Sequence, residues 1–141
     1  MAAVKLQTHH QFDWQVRVYY EDTDAGGVVY HSNYLNFMER ARTEWLRSLG
    51  FEQTSLKENS GIVIVIHSLS IAYKSPARFN DMLQVTCSLT GFGRSSIDIV
   101  QSVMRDSVTL VEAQVKGVFV HADTFKPVSI PINIKQAMEQ L

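Results

Sequence analysis

Residues 33 to 49, NYLNFMERARTEWLRSL, read as one helix whose apolar surface is too broad for a single neighbour, and nearly everything after it alternates like strand. Leu35, Phe37, Met38, Ala41, Trp45, Leu46 and Leu49 make the broad side, and Glu39, Arg40, Thr43, Glu44 and Arg47 a narrow polar strip. Ser32 or Asn33 can cap its start, and Gly50 suits the left-handed stop position. Such a helix is expected to be mostly buried, and a curved sheet is what can wrap it. The chain supplies strands in quantity. Asp13 to Tyr20 alternates, with Trp14, Val16, Val18 and Tyr20 on one face. Ile62 to Tyr73 begins as a continuous apolar run, expected to be covered on both sides, and then alternates. Leu83 to Thr90, Ser95 to Arg105 and Thr109 to His121 follow, joined by turns short enough for an antiparallel meander. The expectation is an α+β domain: an antiparallel curved sheet of about five strands wrapped around one long central helix.

At 141 residues this is expected to be one domain. Residues 1 to about 11 read as a loose arm, 51 to 59 as a short helix or loop, and 132 to 141 as a short terminal helix after Pro127 and Pro131. Hydrophobic residues make up 45% and the formal net charge is −1, which leaves no basic field for nucleic acid. Cys87 is alone, so an internal disulfide is impossible, and its place in an alternating pattern makes it a core residue. The first residues have no apolar stretch of the kind a secretory signal needs, and the longest apolar run, Ile62 to Ile66, is far too short to span a bilayer. A cytoplasmic protein without an integral membrane segment is expected.

The chemistry concentrates between residues 19 and 34, YYEDTDAGGVVYHSNY. Glu21, Asp22 and Asp24 form an acidic turn, Gly26 and Gly27 loosen it, and the helix begins just beyond His31. A helix start offers unpaired N–H donors and partial positive charge, which suit an oxygen that becomes negative during a reaction. A carboxylate standing near such donors has the two parts acyl transfer needs: one group to deliver or activate the nucleophile, another to hold the carbonyl oxygen.

The run RVYYEDTDAGGVVYHSNYLNFMERARTEWL, residues 17 to 46, closely resembles the hotdog-fold acyl-CoA thioesterases, nearest the Tol-Pal-associated YbgC type and related to 4-hydroxybenzoyl-CoA thioesterase. KSPARFNDML, residues 74 to 83, and GFGRSS, residues 91 to 96, resemble the same family. The resemblance implies Asp24 as the catalytic carboxylate, attacking the thioester carbonyl or activating water for that attack. It implies His31 as the second active-site residue, through its ring or its backbone N–H. Tyr20, Gly26, Val28 and Tyr30 flank these two in the matched run and are the expected substrate contacts. Arg94, Ser95 and Ser96 match a turn near which relatives hold coenzyme A. The resemblance also implies subunits that join their sheets, as dimers or tetramers, with active sites at the joint. No cofactor is implied.

Each position has a plainer reading. Asp24 alone can be a solvated turn acid, and for Glu21 and Asp22 the surface-turn reading is the better one. Ser95 and Ser96 lie in no nucleophile elbow. Arg94, Lys74, Arg78 and Lys116 can meet coenzyme A phosphates or simply be solvated. Tyr30, Tyr34 and Trp45 can line an acyl pocket or belong to the core. His67 and His121 lie in strand patterns and read as structural, while His9 and His10 lack a partner at metal-site spacing, and a metal is not implied. A second function class is a binding module for acyl-carrier protein or envelope-lipid enzymes.

Overall fold

The computed structural model describes residues 4–5 and 11–139. Ten elements follow in order. Strands β1 (Val4–Lys5) and β2 (Phe12–Arg17) and a single 3-10 turn (Tyr20–Asp22) lead into helix α1 (Asn33–Ser48). Then come α2 (Gln53–Ser60), the strands β3 (Ile62–Tyr73), β4 (Met82–Phe92), β5 (Ser96–Arg105) and β6 (Val108–His121), and a last helix α3 (Ile132–Glu139). All strands join one antiparallel sheet in the order β1-β4-β5-β6-β3, and β2 pairs with β4 on the same edge as β1. The meander β4-β5-β6 is the one the alternation implies. One sheet packed on one long helix is the hotdog arrangement.

Helix α1 buries Tyr34, Phe37, Met38, Ala41, Trp45 and Leu46 against the sheet face made by Leu83, Val85, Cys87, Ile97, Ile99, Val103 and Val115. Each large apolar side chain so buried contributes about 1.5–3 kcal/mol, which is why this face, and not helix propensity, holds α1 in place. The helix is less enveloped than its sequence suggests: Leu35 is exposed and Leu49 only half-buried. Its end is as expected. Gly50 takes φ +91°, its N–H donates to the Arg47 carbonyl, and the Phe51 N–H reaches back to Leu46.

Four expectations are corrected. Val4–Lys5 of the supposed loose arm pairs with Phe92 and Gly91, and the rest of that arm, with His9 and His10, lies outside the described residues. The first long strand stops at Arg17, because the chain turns into the 3-10 segment, so Tyr20 leaves the inward face and stands 74% exposed. Ser32 makes no side-chain cap, because its backbone is already helical (φ −78°, ψ −15°) and holds the hydroxyl away from the N–H groups it would accept from. The start of β3 is not covered on both sides. It is a sheet edge bonded only to β6 among the described residues, with Ile62–Val65 half-buried and Ile66 46% exposed.

A bulge between Ile66 and Ser68 turns His67 out to solvent. Cys87 is core, as expected, and burial pushes its thiol up to about 12. Among the described residues no helix is long and apolar enough to cross a membrane.

Candidate active site

The acidic stretch folds into a small hairpin. Thr23 pairs with Val29, the Asp24 N–H donates to the Val28 carbonyl at 2.9 Å, and Gly27 closes the turn by donating to the Asp24 carbonyl at 3.0 Å. Gly27 has φ +79°, which glycine adopts at little cost. Asp24 then bonds its own turn: Oδ1 accepts the Gly26 N–H at 2.8 Å, and a Cβ on Gly26 would press on that oxygen at 3.1 Å. The result is an exposed carboxylate with one oxygen fixed and Oδ2 bonded to no other described residue.

Asp22, which reads as a surface acid, ties this hairpin to the helix. Its Oδ2 accepts the Tyr19 N–H at 2.8 Å, its Oδ1 the Asn33 side-chain amide at 2.9 Å, and its carbonyl the Tyr30 N–H at 2.9 Å. The Asn33 side-chain oxygen that might have capped α1 instead accepts the Asn36 amide at 2.7 Å. From the other side the Tyr73 hydroxyl donates to the His31 carbonyl at 2.8 Å. Both tethers fix the peptides that open α1. There the Asn33 N–H goes to Tyr30 and the Leu35 N–H to Ser32, whereas the N–H groups of His31, Ser32 and Tyr34 find no partner among the described residues. The carboxylate hairpin thus runs within a few residues into a set of unclaimed donors at a helix start.

The His31 ring is exposed, tilted 4.6 Å from Tyr30 and edge-on 6.4 Å from Tyr73. It borders a shallow cavity of about 270 Å³ with Val29, Tyr34, Tyr73, Lys74 and Pro76. Tyr34 is buried and its hydroxyl accepts the Ala77 N–H at 3.1 Å; burial pushes the phenol above its ordinary value. Tyr20 stacks on Phe79 with ring centroids 3.7 Å apart. Removing the Tyr73 tether should be felt at the helix start. Tyr73→Phe is expected to lower kcat about fivefold, the worth of one hydrogen bond of about 1 kcal/mol, with KM nearly unchanged; steady-state kinetics on the two proteins checks it.

The turn 77–81 supports the hairpin from below. Val29 donates to the Ala77 carbonyl at 2.8 Å, Val28 pairs with Arg78, and Val18 donates to the Asp81 carbonyl while its own carbonyl accepts the Asn80 N–H. Asp81 clamps it, Oδ2 accepting the Arg78 N–H at 2.8 Å and Arg105 Nη1 at 2.6 Å. Partial burial would raise the Asp81 carboxyl, but the Arg78 N–H and the Arg105 guanidinium together outweigh it and hold the group below the usual carboxylate range. A depressed carboxyl stabilises the fold fully above the unfolded value, near pH 4, and loses that contribution as pH falls through the folded value. Asp81→Asn is therefore expected to cost about 1–2 kcal/mol at neutral pH. Its melting temperature should also fall less than the parent's between about pH 6 and pH 3, which thermal denaturation across that range reads directly.

The sequence candidates do not all meet. Tyr20, Asp24, Gly26, Val28, Tyr30 and His31 gather at one end of the sheet, where β4 begins. Arg94, Ser95 and Ser96 form the β4–β5 turn, where the Gly93 N–H donates to the Ser96 carbonyl at 2.8 Å. The 11 residues of β4 separate the two groups, roughly 35 Å at strand rise. Lys74 and Lys116 are engaged in exposed ion pairs with Glu112 and Asp98, while Arg78 and Arg94 are in none among the described residues.

A family model described as the thioesterase-like superfamily matches residues 18–138. An acyl-CoA thioesterase YbgC from Haemophilus influenzae is 44% identical over 130 residues, covering 92% of this chain and 96% of its own. Among solved structures, a probable thioesterase from Bartonella henselae superimposes with a TM-score of 0.80 at 32% identity, over 89% of this chain and all of that one. A mutant 4-hydroxybenzoyl-CoA thioesterase complexed with 4-hydroxybenzoyl-CoA shares the fold at 20% identity, with a TM-score of 0.86 over 91% of this chain and 98% of its own.

Proposed function

Because this chain belongs to the thioesterase-like superfamily, we propose that it hydrolyses an acyl-CoA thioester to a free acid and coenzyme A at the Asp24 end of its sheet. The observation that carries the reading is the half-held carboxylate of Asp24 on a hairpin braced against unclaimed N–H donors at the start of α1. Oδ2 attacks the thioester carbonyl, releasing the coenzyme A thiolate and leaving an acyl anhydride that water cleaves, or it takes a proton from the water that attacks. On either route the carbonyl oxygen gains negative charge, which the N–H groups of His31, Ser32 and Tyr34 stabilise. The His31 ring, on the rim of the adjoining cavity, orients the thioester.

Coenzyme A needs a second chain in this reading. The edge of β3, unpaired among the described residues, carries exposed Ile66, and such an edge is a template for another strand. If two copies pair there antiparallel, the Tyr73 end of one lies beside the Ile62 end of the other. The turn of Arg94, Ser95 and Ser96 is two strands away from that Ile62 end, about 10 Å, because Ser96 pairs with Val118 and Ile62 with His121. The active unit is then a dimer, or a tetramer of two dimers, and never a monomer. The test is thiol release by purified protein from short, long and aromatic acyl-CoAs. Turnover of at least one class is expected. No thiol above blank from any of them overturns the reading and leaves the alternative of a binder of acyl-carrier protein.

A further inference from the structure

An apolar slot of about 160 Å³ lies between the second half of α1 and the sheet, opening at the free β3 edge; Trp45, Leu46, Ile64, Ile66, Ile97 and Ile99 wall it. Its floor is Gly117, in the interior of β6, with β5 and β3 bonded on either side. Glycine here leaves room for the side chains of the flanking strands. A Cβ at Gly117 would meet Ile64 and Ile97, each at 3.4 Å. A void of this size and lining accepts a six-carbon body; an apolar cavity of about 150 Å³ takes benzene.

One wall of the slot is polar: Glu39, Arg42 and Thr43 of α1 line it, with Gln53 of α2. Arg42 reaches beneath the helix, where Nη1 donates to Gln101 Oε1 at 2.9 Å. Gln101 is completely buried and has spent its own amide on the Met38 carbonyl and Cys87 Sγ, both at 3.1 Å. No carboxylate lies within ion-pairing distance of Arg42 among the described residues, and Glu39 acts on it only from a distance. No buried side-chain nitrogen among those residues lacks a partner. The remaining Arg42 N–H groups are therefore accessible and bonded to no other described residue, and Arg42 lines the slot. A guanidinium with free N–H groups is best satisfied by a carboxylate, which it can bind through two parallel hydrogen bonds.

We propose that Arg42 reads the far end of the acyl group, so that the slot selects acyl chains of about six carbons that end in a carboxylate. This rests on the hydrolase reading and on pairing along β3, which sets the slot of one chain beside the Asp24 end of its partner. The apolar walls take the methylenes, and the Arg42 N–H groups the terminal oxygens.

Binding of non-hydrolysable thioethers tests this apart from turnover: S-hexyl-coenzyme A against S-(5-carboxypentyl)-coenzyme A, by calorimetry. The carboxylated analogue is expected to bind the parent at least tenfold more tightly, and Arg42→Gln to erase the difference. Gly117→Ala, which narrows the floor, is expected to weaken both six-carbon analogues relative to S-methyl-coenzyme A, and it serves if Arg42→Gln does not fold. Equal binding of the two analogues by the parent, as when a side chain of the partner fills the slot, overturns the proposal, and so does a preference that survives Arg42→Gln. A clear preference in a protein that hydrolyses no thioester would sink the hydrolase reading and leave this one standing.

Discussion

Replacing Asp24 with asparagine is expected to lower kcat about 10³-fold, with KM within a few-fold and the melting temperature within about 2 °C of the parent. The small structural effect follows from geometry. An asparagine side-chain oxygen can still accept the Gly26 N–H, so the turn keeps its bond, and the exposed position asks for no repacking. What disappears is the negative charge on the oxygen left free. An amide neither attacks a carbonyl nor takes a proton from water at neutral pH. A mutant with a near-normal rate would move the chemistry elsewhere, and one that failed to fold would reveal a structural role that these contacts do not support.

The second large effect is expected at Asp22. Asp22→Ala removes acceptors from the Tyr19 N–H and the Asn33 amide together, separating the Asp24 hairpin from the first turn of α1. Misplacement of about 1 Å in such a constellation costs on the order of 10²-fold in rate, and two orphaned, partly solvated donors cost about 1–2 kcal/mol of stability. Asp22→Asn separates these effects. It keeps an acceptor for one partner but loses the second, so its rate is expected between those of the parent and Asp22→Ala. Steady-state kinetics and thermal melts on the three proteins check this. Equal rates in all three would mean that the helix start is positioned without Asp22.

The strands and the long helix were legible because their side-chain periods are local facts. Leu83, Val85, Cys87 and Leu89 alternate whatever surrounds them, and Gly50 marks a helix stop within a single turn. Asp24 stands out as a candidate only through the family motif, since a lone turn acid and a catalytic one have the same neighbours in sequence. Asp22 was misread as a surface acid because its role depends on Asn33, 11 residues further on and folded back against it. Its one local signal was a second carboxylate two positions before Asp24, and that suggested repulsion more than bracing. Tyr73 hid in the same way, as the last residue of a strand 42 positions beyond the carbonyl it holds. The start of β3 carried a different ambiguity. An apolar run states that something covers it, not whether the cover comes from the same chain; among the described residues nothing pairs with this edge. Arg42 was passed over because a charged residue on a helix reads as solvated until the buried Gln101 beneath it is seen.

If hydrolysis runs at Asp24, a thioester carbonyl sits between that carboxylate and the start of α1. The most direct measurement is a crystal structure of Asp24→Asn, which should bind without turning over, soaked with an intact acyl-CoA that the parent hydrolyses. The expected result has the thioester carbonyl carbon within about 3.5 Å of the residue 24 side chain and its oxygen about 3 Å from backbone N–H groups among His31, Ser32 and Tyr34. A thioester seated on the helix-free face of the sheet, or more than about twice that distance from residue 24, would contradict it.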